Sequence, residues 1–109
     1  MSKYHNKKVQ VDMYVFDSIA ESRRYKELVL LERAGQIRDL ELQPKFLLQE
    51  GFKKNGKTYR PIYYVADFMY WGGNKMIVED VKGIETDVFK LKHKLFEHKY
   101  PDYELKIIK

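Results

Sequence analysis

The sequence predicts a single α/β domain, an α+β arrangement in which a mostly antiparallel, mixed β-sheet is flanked by two main helices. Three observations carry this. Ser18-Ile19-Ala20-Glu21 has the spacing of a capping box and opens a helix that runs to about Ala34, where Gly35 supplies a left-handed end. Tyr63–Trp71 and Lys75–Gly83 are rich in aromatic and β-branched residues and flank Gly72-Gly73-Asn74, the pattern of a β-hairpin. Thr86-Asp87 caps a second helix that reaches about Lys99 and is stopped by Pro101, after which Tyr103–Ile108 alternates as a strand.

Taken in order, Val9-Gln10-Val11 and Tyr14-Val15-Phe16 read as two short strands about Asp12-Met13, a turn without glycine. Residues 1–8, with Lys3, Lys7 and Lys8, form a basic arm expected to be mobile. The first helix draws its apolar positions from Ile19, Tyr25, Leu28, Val29, Leu30 and Leu31. Glu21 shares a helix face with Tyr25 and Leu28. It is therefore either a capping residue or a carboxylate turned toward the sheet. Ile37–Gln49 is strand-like, with Pro44 marking an edge position or a bulge. Asn55-Gly56 then signals a tight hairpin whose return brings Gln43 level with Asp67. On the second helix Val88, Leu91 and Leu95 form the expected inward stripe, with Lys90, His93 and Lys94 largely elsewhere. The element order is strands, helix, three strands, helix, strand.

Bulk composition narrows the function. The chain of 109 residues is 44% hydrophobic, enough for one core but not two. It has no cysteine, which removes disulfides, thiolate metal sites and a cysteine nucleophile. No apolar run reaches membrane-spanning length and the N-terminus lacks a signal-peptide core, so a cytoplasmic protein is expected. A net charge of +5 favours polyanions, nucleic acid first. Lys53, Lys54, Lys57 and Arg60 crowd the Asn55-Gly56 hairpin, and with Lys90 and Lys94 they are the candidate DNA-backbone contacts. His93 and His98, five apart on one helix, do not have metal-ligand spacing, and neither does His5.

The anomaly is in the central hairpin. A two-residue Gly73-Asn74 turn sets Asp67 opposite Asp80; a Gly72-Gly73 turn leaves them diagonal on the same side. Lys82 shares the face of Asp80, while Glu79 points the other way. Two facing acids in an apolar hairpin repel unless a positive charge lies between them. A hard divalent cation with oxygen ligands resolves that conflict, and the neighbouring lysine suits an anionic substrate.

The helix glutamate, Gln-Pro, strand Asp and D-x-K succession resembles the PD-(D/E)XK nuclease superfamily. The strings F-D-S-x-x-E, L-Q-P-K-F, Y-V-A-D-F and V-E-D-V-K-G resemble a branch of small phage-encoded proteins. These are related to endonuclease I-type Holliday junction resolvases and to transposase endonuclease subunits. The resemblance spans about Tyr4 to Lys109. It implies a restriction-endonuclease-like core and Mg²⁺- or Mn²⁺-dependent DNA cleavage. It also implies Asp67, Asp80 and Glu21 as metal ligands, Lys82 as the motif lysine and Gln43 as an accessory residue. Ala66 stands where the superfamily's name has proline. If a bulge reverses the strand, Glu79 replaces Asp80. A homodimer acting on branched or duplex DNA follows, with no membrane and no organic cofactor, in a bacterial host's cytoplasm if phage-encoded. The rival expectation is a non-catalytic DNA-binding accessory protein of nuclease-like fold.

Overall fold

The structure, a computed structural model, describes residues 8–109; the basic arm lies outside these apart from Lys8, whose ammonium pairs with Asp17 at 3.0 Å. Strands β1 (Val9–Val11) and β2 (Tyr14–Phe16) pair antiparallel with Val11 opposite Tyr14. Asp12 and Met13 form the turn at φ 50 and 76, so the left-handed backbone conformation a tight hairpin needs is adopted without glycine. Helix α1 (Ile19–Arg33) follows, with Ser18 Oγ accepting the Glu21 N–H at 3.1 Å. At its other end Gly35 (φ 78) donates to Glu32 O and Gln36 donates to Leu31 O, a closed Schellman pair. The buried side is Glu21, Ser22, Tyr25 and Leu28; Ile19 and Leu30, expected among the apolar set, face solvent.

The expected stretch Ile37–Gln49 becomes two strands, β3 (Arg38–Leu42) and β4 (Lys45–Gln49). Pro44 has no N–H to give a ladder, and here the chain leaves one sheet for another. Strands β5 (Phe52–Lys54) and β6 (Lys57–Tyr59) follow, turning at Asn55-Gly56 with Lys54 opposite Lys57 as the sequence indicates. The run Tyr63–Trp71 is likewise divided, into β7 (Ile62–Val65) and β8 (Phe68–Gly72), which pair with β4 and β3. The two creases coincide: Gln43 N–H donates to Asp67 O at 2.9 Å and Ala66 N–H to Pro44 O at 3.1 Å. With β9 (Lys75–Val81), seven short strands replace the three expected between the helices.

Helix α2 (Asp87–Lys99), capped by Thr86 Oγ1, carries the chain to β10 (Tyr103–Ile108). The main sheet has the order β10-β9-β8-β3; β10 joins β9 in parallel and the other pairs are antiparallel, so the sheet is mixed as expected. Its faces are covered separately. Phe16, Tyr25, Leu28, Phe68 and Tyr70 form one cluster under α1, while Phe46, Tyr64, Val78, Phe89 and Phe96 form the other against α2. No helix among the described residues is long and apolar enough to cross a membrane.

The stripe expected on α2 is corrected. Val88 and Leu91 are 64% and 60% exposed, Leu95 is only partly buried, and Phe89 and Phe96 point inward instead. Seven residues apart, these two rings share a face, and they meet Tyr64 and Phe46 edge-on or tilted. Burying two large rings in an aromatic cluster outweighs burying a valine and a leucine. Phe96→Ala should therefore cost about 3–5 kcal/mol in urea unfolding, and Leu91→Gln no more than about 0.5 kcal/mol. Equal costs would show the helix turned the other way.

Candidate functional site

The hairpin between β8 and β9 turns at Gly73-Asn74, because Gly72 pairs with Lys75. Gly73 at φ 66 occupies the first turn position, where glycine meets the steric demand. The regular ladder runs back to Phe68 opposite Glu79 and then kinks at the crease. There Asp67 N–H donates to Glu79 O at 3.1 Å, and the Asp67 carboxylate, not its backbone, accepts the Val81 N–H at 2.7 Å. One side chain thus completes the ladder and faces the space beside Asp80.

Asp80 is buried, accepts a hydrogen bond from the Tyr64 hydroxyl and lies 3.5 Å from Lys82 Nζ. The ammonium sits 4.7 Å above the Phe89 ring, a cation–π contact that helps to hold it. Glu79 points to the opposite face as the alternation requires. It is fully buried, held by Arg24 through Nε and Nη2, each at 2.7 Å, and by the Tyr70 hydroxyl. An acid so engaged has its charge already matched, so of the two neighbours Asp80 is the one facing the candidate site.

Glu21 is buried and turned toward the sheet, the second of its two readings. With Gln43 and Asp67 it lines a cleft of about 220 Å³ that Tyr14, Val15 and Phe16 close on the other side. Burial chiefly, then the charges of Asp17 and Asp80, raise its pKa, and Lys82 opposes them. The larger shift is at Asp67, pushed up to about 8 by burial and then by the Asp80 charge, against the pull of the Val81 N–H. The Tyr64 phenol is raised as well, by burial and by its bond to Asp80. Lys53, Lys54, Lys57 and Arg60 lie exposed along β5–β6 and the residue after it, away from the carboxylates in sequence; Lys90 and Lys94 are exposed on α2.

These residues fit a hard divalent cation by donor chemistry. Asp67 and Asp80 are oxygen donors whose mutual repulsion is eased by a retained proton, a place that a cation can take. Among the described residues no three carboxylate or imidazole groups meet at the spacing of a shared ion. Mg²⁺ is commonly held by one or two carboxylates, with water and substrate phosphate filling the remaining positions.

A pH dependence follows. Asp67 keeps its proton in the fold up to about 8, while the unfolded chain releases it near 3.8. The folded state binds more protons in that window, so this group's contribution to stability declines as pH rises from about 4 to about 8. Melting curves in EDTA should fall more steeply with pH for the wild type than for Asp67→Asn, and Mn²⁺ should flatten the wild-type curve. Parallel curves for the two proteins would refute the assignment.

Sequence reasoning missed Tyr64, Arg24 and Tyr70. Arg24 follows Glu21 by three positions on the helix and Glu79 adjoins Asp80, a pairing that only the packing of α1 on β9 brings into contact. Fold and site together define an α+β domain that gathers three acids and a lysine where its sheet is creased. The chain belongs to the family described as a protein of unknown function, DUF1064, whose model it matches over residues 1–109. No curated protein and no solved structure matches it.

Proposed function

We propose that this protein is a metal-dependent DNA endonuclease with a restriction-endonuclease-like core of the PD-(D/E)XK type, selective for branched DNA such as four-way junctions. The observation that supports it most is the pair Asp67 and Asp80, the first with its pKa raised chiefly by burial and then by the charge of the second, with Lys82 beside Asp80. Bound Mg²⁺ or Mn²⁺ would polarise a phosphodiester and ease deprotonation of water. Asp67 and Asp80 would hold it, and Glu21, which does not complete a three-ligand cluster with them, would line the cleft beside it. Val81 N–H and the Tyr64 hydroxyl fix the two aspartates in place, so little reorganisation accompanies the reaction. Lys82, about a third exposed, is placed to orient the attacking water and to offset charge on the phosphoryl oxygens. Gln43 offers an amide at the cleft. Cutting both strands needs two such sites, hence a homodimer.

The test is incubation of supercoiled plasmid and synthetic four-way junctions with the protein and Mn²⁺. Cleavage by the wild type, lost in the Asp80→Asn protein, is expected. Binding without cleavage of any substrate overturns it. That outcome belongs to the second reading, a non-catalytic DNA-binding module, favoured by the lack of a three-ligand cluster among the described residues.

A further inference from the structure

Among the described residues, strands β5 and β6 pair only with each other, forming an arm at the end of the β4–β7 ribbon. Register places Phe52 opposite Tyr59 and Lys54 opposite Lys57, so these four side chains share one face. The two rings stack across the strands, with centroids 4.7 Å apart and planes 11° from parallel. Yet they remain 44% and 38% exposed, and Lys57 Nζ lies 5.1 Å over the Tyr59 ring. From Gly51 to Ala66 the chain has four cations and no acid. None of these cations makes an ion pair among the described residues.

We infer that this arm grips unpaired nucleotides, with Phe52 and Tyr59 as a stacking platform for bases and Lys54 and Lys57 on the adjoining phosphates. Every base has a flat face that an exposed ring can cover, whereas bases inside a duplex have theirs occupied. Charge complementarity supplies the occupant: an all-cationic, aromatic surface matches a polyanion with exposed rings and repels basic partners. Between the arm and the site, Lys45 Nζ lies 4.2 Å over the Tyr63 ring on the ribbon, and a cleft of about 260 Å³ is lined by Tyr63, Val65, Lys92 and Lys82 of the candidate site. Branched DNA that carries a single-stranded flap or gap is the substrate that would use both the arm and the acids. The inference rests on the nucleic-acid reading above but not on cutting.

The experiment uses the full chain in EDTA, where no metal-dependent cleavage occurs, and fluorescence anisotropy with labelled oligo(dT), oligo(rU) and a blunt duplex, each of about 16 nucleotides or base pairs. The wild type should bind single strands more tightly than duplex at equal salt. Phe52→Ala with Tyr59→Ala should weaken single-strand binding about tenfold or more, and duplex binding far less. Lys54→Gln with Lys57→Gln should weaken every probe and reduce the single-strand salt slope by about 1.4. Oligo(dT) above oligo(rU) names DNA as the source of the strand, and the reverse names RNA; either supports the arm provided the rings carry the binding. As a check independent of arm stability, Phe52→Trp in a Trp71→Phe chain should be quenched by oligo(dT) and not by duplex. Unchanged affinity without the rings, equal losses for strand and duplex, or an unquenched tryptophan would leave the stack as a mere clasp of the hairpin and overturn the proposal. Ring-dependent binding without cleavage in Mn²⁺ upholds the arm while refuting the nuclease.

Discussion

Asp80→Asn is expected to lower Mn²⁺-dependent cleavage by on the order of 10³-fold while leaving the metal-free melting temperature unchanged or higher. The asparagine keeps an oxygen for the Tyr64 hydroxyl, so the hydrogen bond that orients the side chain survives. What goes is a charge that raises the pKa of both Asp67 and Glu21. Asp80 acts on two other acids and pairs with a single lysine, so removing its charge relieves more repulsion than the attraction to Lys82 it forfeits. The combination of lost activity and retained stability is diagnostic. A large fall in melting temperature in EDTA would make Asp80 a structural partner, and retained cleavage would remove it from the chemistry.

The largest stability effect is expected at Arg24 and Glu79. Glu79 is fully buried and its carboxylate is satisfied by a two-pronged guanidinium and the Tyr70 phenol. Removing Arg24 leaves that acid uncompensated in an apolar layer, which costs about 3–5 kcal/mol. For a chain of this size that lowers the melting temperature by on the order of 15 °C. Arg24→Met combined with Glu79→Leu should recover most of the loss, since the pair together repays little more than its own desolvation. A double variant as unstable as the single one would show that the pair also specifies how α1 lies on the sheet. Because Arg24 is one turn beyond Glu21, that second outcome would carry a functional cost as well.

Much of this was legible from residue types and spacing. Both helices begin where Ser18 and Thr86 offer hydroxyls to bare N–H groups. The Asn55-Gly56 and Gly73-Asn74 turns set registers that the ladders follow. Alternation alone separated Glu79 from Asp80 and joined Asp80 to Lys82. What was not legible depended on competition between distant surfaces. Aliphatic spacing on α2 points to Val88, Leu91 and Leu95, but the aromatic cluster of Phe46, Tyr64 and Tyr103 exists only once four elements meet, and it selects Phe89 and Phe96. The break in Tyr63–Trp71 was hidden because Ala66-Asp67 has no breaker of its own; its crease is imposed by Pro44 on the neighbouring strand. Tyr64 could have been suspected, three residues before Asp67 in an apolar run. Arg24 could not, since its partner is 55 residues away.

At position 66 this chain uses a backbone donor, Ala66 N–H to Pro44 O, that a proline could not offer. The fold line passes through that bond and through Asp67. Tyr64 on that ribbon bonds Asp80 and is buried with Phe46 against α2, so the crease fastens both aspartates to one packed layer.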